Sequence, residues 1–203
     1  MIWYLINTGQ FGYSQPEETY LEDTYDLTAG CPTCENGKAL KNAFRFRSEP
    51  KAKHSQFLGL NWVFDEVFVR EVVKNVFEEH RITGVDFVRR VRHKTGEALD
   101  TIYHMRVGTI LPPALRTDGL RTEKCEMPKD PVMIKFLKAN GSRLVKGPLC
   151  GSVKFNYPQG NENQIIMHAS AFVSSPDIVR MHEWFGSGGS AGYVIESRTL
   201  LFG

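Results

Sequence analysis

The sequence predicts an α+β fold: an antiparallel sheet with one or two packed helices, organised around a strand–helix–strand module over 62–108. Three observations predict it. Val69, Val72, Val73, Val76 and Phe77 recur at the spacing of one helix face, with Glu71, Lys74, Asn75, Glu78 and Glu79 opposite. Gly84 punctuates that pattern and is followed by an extended run through Val85, Phe87 and Val91. Ile102 to Val107 then alternates, with Tyr103, Met105 and Val107 on one face and His104 and Arg106 on the other.

Each element follows from its residues. Residues 2–6 are apolar and read as a first strand. Residues 9–30 are acidic and turn-rich, with one short strand expected near Tyr25. Phe44-Arg45-Phe46-Arg47 alternates apolar and basic, as a half-exposed strand does. Val67, Phe68 and Val69 form a strand that leads into the helix. That helix is rich in β-branched valine, whose intrinsic propensity is poor, so it must dock to persist. Gly84 is expected to end it, with Arg81 in the last turn against the negative end of the dipole. Lys94-Thr95-Gly96 reads as a turn with positive φ at the glycine.

Leu111-Pro112-Pro113 breaks regular structure, and 114–129 reads as irregular linker. Asp130-Pro131 signals a short helix closed by Asn140-Gly141. Val153 to Tyr157 alternates as a strand, Ile165 to Val173 reads as extended, and Ser175-Pro176-Asp177 as a new helical turn. Val194 to Leu200 echoes the Val67–Val73 sequence in which a strand ends and a helix opens, so a second module is expected to start there and stop short.

Length and composition bound the function. A chain of 203 residues is read as a single domain, 1–203, with 25–55 and 120–158 forming a cysteine-bearing, zinc-ribbon-like subregion. A formal net charge of +2 gives no argument for nucleic acid. No apolar run reaches membrane-span length, and the N-terminus lacks a basic n-region and a cleavage site, so the expectation is a cytoplasmic protein that engages no membrane.

Chemistry concentrates in the cysteines. Cys31-x-x-Cys34 can chelate a metal from a tight turn, and with Cys125 and Cys150 the chain supplies four thiolates, the set a structural zinc ion prefers. The other readings are a plain turn with two unrelated buried thiols, or a thiol- or metal-dependent enzyme using Cys31 and Cys34. The basic run Lys38, Lys41, Arg45, Arg47, Lys51, Lys53 and His54 reads as a solvated edge, or as the contact line of a zinc-ribbon nucleic-acid-binding protein. His182-Glu183 lacks the second histidine of a zincin, and His93 and His104 are expected at the surface. Trp184 and Phe185, beside a glycine-rich stretch, are the candidate partner-contact residues, with core packing as the other reading.

Four stretches taken together resemble a known family. They are Cys31-Pro32-Thr33-Cys34; Phe68-Val69 through Ile82-Thr83-Gly84-Val85-Asp86-Phe87; Cys150-Gly151 with Phe155-Asn156-Tyr157-Pro158; and Trp184-Phe185-Gly186 through Ser197-Arg198. Their order is similar to the double-CxxCG immunity proteins of the myxobacterial paralogous type. The resemblance implies a small, non-catalytic cytoplasmic protein that neutralises a cognate bacterial toxin by binding it. The chain departs from the pattern where Glu35 follows Cys34 in place of glycine, and where Cys125 stands alone instead of in a second CxxCG.

Overall fold

Val67, Phe68 and Val69 are three consecutive apolar residues because their strand is covered on both faces. Val67 and Val69 pack into one core cluster and Phe68 into another. The computed structural model describes residues 3–6, 8–11, 23–26, 28–31, 37–48, 50, 55–60, 63–124, 152–156, 165–185 and 190–196. Within them lie the α-helix α1 (Glu71–Glu79), a helical pair at Asp23 and Thr24, and thirteen strands. The strands are β1 (Trp3–Leu5), β2 (Gly9–Phe11), β3 (Tyr25–Asp26), β4 (Ala39–Leu40), β5 (Arg45–Phe46), β6 (Phe57–Leu60), β7 (Val63–Arg70), β8 (Val85–Arg92), β9 (Ala98–Val107), β10 (Thr122–Lys124), β11 (Val153–Phe155), β12 (Ile178–Phe185) and β13 (Ser190–Glu196).

The fold is therefore mostly sheet, and the sheets are mixed. One has the order β2-β6-β7-β9-β8-β5, a second β1-β13-β12-β11-β10, and β3 pairs with β4 alone. β6, β7, β9 and β8 are antiparallel neighbours, as the alternating sequence expects. The outer strands β2 and β5 join the larger sheet in parallel, and β11 pairs with β12 in parallel. The expectation of a purely antiparallel sheet fails there because those partners return through long connections instead of tight turns.

On one face of the larger sheet, Val67, Val69, Tyr103 and Met105 pack beneath Val73 and Phe77 of α1. On the other face, Tyr25, Phe44, Phe46, Leu58, Leu60, Phe68, Leu99 and Ile102 form a second core. Phe44 meets Phe46, Phe68 and His104 there, with ring centroids 5.0, 4.9 and 6.4 Å apart. This second layer overturns one expectation: His104 is buried, because the face it shares with Ile102 lies under Phe44 and Phe68.

The helix also departs from its pattern. Only Val73 and Phe77 are buried, while Val72 and Val76 stand 52% and 40% exposed. It ends before Gly84. His80 is its C-cap, and Arg81, at φ 52°, takes the left-handed position. Ile82 N–H donates to Phe77 O at 2.9 Å and Arg81 N–H to Glu78 O at 3.1 Å, which is the Schellman pair. Ile82 and Phe77 share one core cluster, the apolar contact that accompanies this cap.

Gly84 serves a different purpose. At φ 88° it lies against the chain that enters β12, and a Cβ there would meet Ile178 O at 2.2 Å. Thr83 completes the junction. Its N–H and hydroxyl donate to Asp177 Oδ2 at 2.9 and 2.7 Å, Asp177 N–H donates to Thr83 Oγ1 at 3.1 Å, and Ile178 N–H donates to Thr83 O at 3.0 Å. Ser175-Pro176-Asp177 thus leads into a strand, not the expected helical turn, because Asp177 is drawn into this bonding. Residues 165–173, expected to be extended, contain a 3-10 turn at Ala169–Phe172. Within the expected linker, Ala114 and Leu115 are buried and β10 forms. The helix expected from Asp130, and any helix from Ser197, lie outside the described residues.

The smaller sheet has its own core. Val179, Met181 and Phe185 of β12 pack with Leu111, Leu115 and Phe172. Trp3 stacks on Phe172 with centroids 4.5 Å apart.

Candidate functional site

From Val179 to Phe185 β12 alternates, although its register to β13 shifts between Arg180 and Trp184, and Ile178 at its start is buried in the core beneath α1. Val179, Met181, Glu183 and Phe185 point inward, and Arg180, His182 and Trp184 point outward. Alternation assigns the residues to faces, and what the faces meet decides their roles. Phe185 is 1% exposed and packs its ring 6.1 Å from Phe155, so it is a core residue. The sequence reading that paired it with Trp184 as a surface anchor is corrected for Phe185. Adjacent residues of a strand face opposite ways, and only one can lie outside.

Trp184 remains on the outer face, half-buried. The Arg180 guanidinium lies over its ring, 5.4 Å from the centroid. Such a contact fixes the indole without hiding it. His182 is exposed between them. Ile110 bridges to Arg180 in parallel and is 57% exposed, which extends the row with an apolar residue. On the neighbouring strands, Lys154 pairs across to Glu123, and Lys154 is buried.

The inward-facing Glu183 is a missed signal. Its Oε1 accepts the N–H groups of Ala114 at 2.7 Å and Leu115 at 2.9 Å, which clasps the 114–115 segment to the sheet. A carboxylate between two apolar i±2 neighbours, Met181 and Phe185, was the available hint.

A second inward pair lies in the larger sheet. His104 Nε2 and Glu66 Oε2 are 2.6 Å apart, with the side chains 2% and 12% exposed. Phe68, paired in register with His104, lines one side, with its ring 5.3 Å from the imidazole. Near them, Arg90 is fully buried, its guanidinium 5.1 Å from the Phe46 ring. It donates to Ile102 O and, at 3.5 Å, to Leu99 O. These carbonyls belong to a bulge. Arg89 pairs with Tyr103 and Arg90 with Leu99, so the register shifts there and Asp100, Thr101 and Ile102 fall in the bulge. Arg90 thus satisfies backbone acceptors that the ladder leaves open.

Of the cysteines, Cys31 is half-buried. It follows a turn in which Asp26 Oδ1 accepts the Thr28 N–H at 2.9 Å and the Thr28 hydroxyl at 2.6 Å. These two bonds, side chain first, hold the Asp26 carboxyl below its ordinary range. Cys34, Cys125 and Cys150 lie outside the described residues. Among the described residues no three His, Cys, Asp or Glu side chains gather as a metal-ligand set.

The basic run divides. Lys38 lies 4.7 Å over the Tyr25 ring, Arg45 is half-buried and Arg47 exposed, while Phe44 and Phe46 are fully buried. The phenylalanines are core residues and offer no stacking surface to a base. Lys51, Lys53 and His54 lie outside the described residues. No helix among the described residues is long and apolar enough to cross a membrane. Comparison with protein-family models, curated proteins and solved structures finds no match to this chain.

Proposed function

We propose that this protein is a non-catalytic binding protein of the immunity type, which neutralises a cognate bacterial toxin by occluding it. The motif order that resembles double-CxxCG immunity proteins supports the class. The observation that carries the reading is the outward row of β12, where Trp184 is held by Arg180 beside exposed His182 and Ile110. Trp and Arg dominate binding energy at protein interfaces, and an indole already fixed in the free protein loses little entropy on docking. The inward carboxylates and imidazole support the same reading. Glu183 holds backbone N–H groups and His104 holds Glu66, so these groups serve the fold.

The cysteines fit this class as a structural staple. Cys31, with Cys34, Cys125 and Cys150, would hold zinc in a closed four-thiolate site, whose chemistry is to tie distant segments together. Cys31 is half-buried behind an ordered turn, a setting that suits a structural ligand. Metal analysis of protein purified without chelator should find about one zinc per chain, and Cys31→Ser should lose it.

The function is tested by co-purification from native cells, followed by growth assays with the partner's isolated domain. The expected result is one stoichiometric protein partner that is toxic alone and silenced by co-expression. Trp184→Ala should weaken the complex by about 2 kcal/mol, roughly 30-fold. Full affinity in Trp184→Ala would remove this surface from the proposal. Recovery of nucleic acid in place of a protein would overturn the class.

A further inference from the structure

We propose that this protein pairs with a second copy of itself through β1, joining two smaller sheets into one. β1 lies at the edge of that sheet, and β13 is its strand neighbour among the described residues. The strand is anchored at both ends. Trp3 packs on Phe172 with centroids 4.5 Å apart, and Ile6, just beyond the strand, packs against the core beneath α1. Between these anchors Tyr4 and Leu5 stand 48% and 40% exposed. In an antiparallel pair, alternate residues turn their N–H and C=O groups away from the neighbour. β1 therefore presents backbone donors and acceptors along a side that another strand can extend.

The charge pattern names the occupant. Edge strands are ordinarily guarded by charged side chains. At the opposite edge of the same sheet β10 carries Glu123 and Lys124, and all its residues are exposed. β1 has no such guard. Residues 1–16 and 184–195 contain no Asp, Glu, Lys, Arg or His, and they are the two longest such stretches in the chain. β1 belongs to the first, and β13, except Glu196 at its end, to the second. A two-fold contact sets a patch against its own copy, so a charge there would meet its like. An edge free of charge is one that can meet itself.

Alternation fixes the register. Trp3 meets Phe172 on the inner face, so Leu5 shares that face and Tyr4 takes the outer one. Directly opposed residues of neighbouring strands lie on one face, so inner residues must oppose inner ones. The two-fold register that engages all of β1 is centred on Tyr4. Tyr4 then opposes its own copy, and Trp3 opposes the second copy's Leu5. In that register either set of outward-turned backbone groups finds partners. The inference goes beyond the toxin-binding proposal and does not depend on it, because the β12 row lies two strands away.

The test is sedimentation equilibrium of the intact protein over a concentration series. A short edge makes a small interface, so the expected Kd is about 10–100 µM. The mass should rise from 23.0 kDa toward its double and no further. Tyr4→Lys and Tyr4→Glu should each raise the Kd roughly tenfold or more. Mixing the two variants should restore association, because the register sets position 4 against itself. A monomer at every concentration leaves the edge to a strand from another protein and overturns the pairing. A mass that climbs past the dimer, association untouched by either variant, or a mixture that stays monomeric overturns it too. Should the variants fail to fold, hydrogen exchange of the wild-type chain decides. The Trp3–Leu5 amides should gain protection with concentration while those of β10 do not, and unchanged protection at β1 refutes the proposal.

Discussion

Replacing Gly84 with alanine should separate the two roles a positive-φ glycine can play. Gly84 and Gly96 both adopt left-handed backbone, at φ 88° and 73°. Around Gly96 nothing lies within 4 Å of an added Cβ, so Gly96→Ala carries only the dihedral cost, about 1–2 kcal/mol. At Gly84 the same methyl would sit 2.2 Å from Ile178 O and 2.9 Å from Pro176 Cβ and Cγ. The backbone oxygen cannot yield alone, since its residue donates to Thr83 O at 3.0 Å and Asp177 is locked to Thr83. Relief of the clash must break part of that bonding. Losing two of those bonds at about 1 kcal/mol each, added to the dihedral cost, puts Gly84→Ala at about 3–4 kcal/mol. Urea unfolding of both variants, followed by tryptophan fluorescence, measures the difference. A gap below about 0.5 kcal/mol with unchanged m-values would refute the claim that this glycine is required by close approach.

Three further outcomes follow from the geometry. Glu66→Leu strands a buried imidazole and should cost about 3 kcal/mol, most of it recovered when His104→Phe is added; single variants that both stay within about 0.5 kcal/mol would show that the pair is not coupled. Arg81→Gly relieves a left-handed arginine at the helix end and should raise stability by about 0.5–1 kcal/mol, read as an increase in the urea midpoint. The Asp26 carboxyl is held below its ordinary range, so the ordering it gives the 26–28 turn is present above the unfolded pKa and lost as pH falls through the folded one. NMR titration of the Thr28 amide should show that midpoint, and Thr28→Val should return it toward the ordinary carboxylate value.

How far the sequence was legible depended on whether a residue's role was local. The strand near Tyr25, the Phe44–Arg47 alternation, the extended runs of β8 and β9, and the Gly96 turn all follow from nearest-neighbour chemistry, and the structure has them. The exposure of Val72 and Val76 was not legible. A stripe of valines states which residues share a helix face, but not how wide a surface the sheet offers to cover it. His104 was misassigned because alternation marks two faces without saying that the second is also covered. The Phe44 and Phe46 layer that covers it comes from a segment more than fifty residues away. Gly84 was recognised as punctuation, but its crowding depends on Pro176 and Ile178, and only the assembled chain brings those near. In the candidate site, the pairing of Trp184 with Phe185 failed for a simpler reason: one strand cannot turn both outward.

The register of the smaller sheet sets an order of assembly. Trp3, Tyr4 and Leu5 pair with Glu196, Ile195 and Val194, so β1, which precedes every other described strand, finds its partner in the last of them. Every strand of the larger sheet lies between Gly9 and Val107 and can pair while the rest of the chain is still being made. β1 must wait through that interval with Tyr4 and Leu5 unpaired. A fragment ending near residue 120 and released from the ribosome should therefore protect the amides of β7 and β9 from exchange and leave those of β1 open.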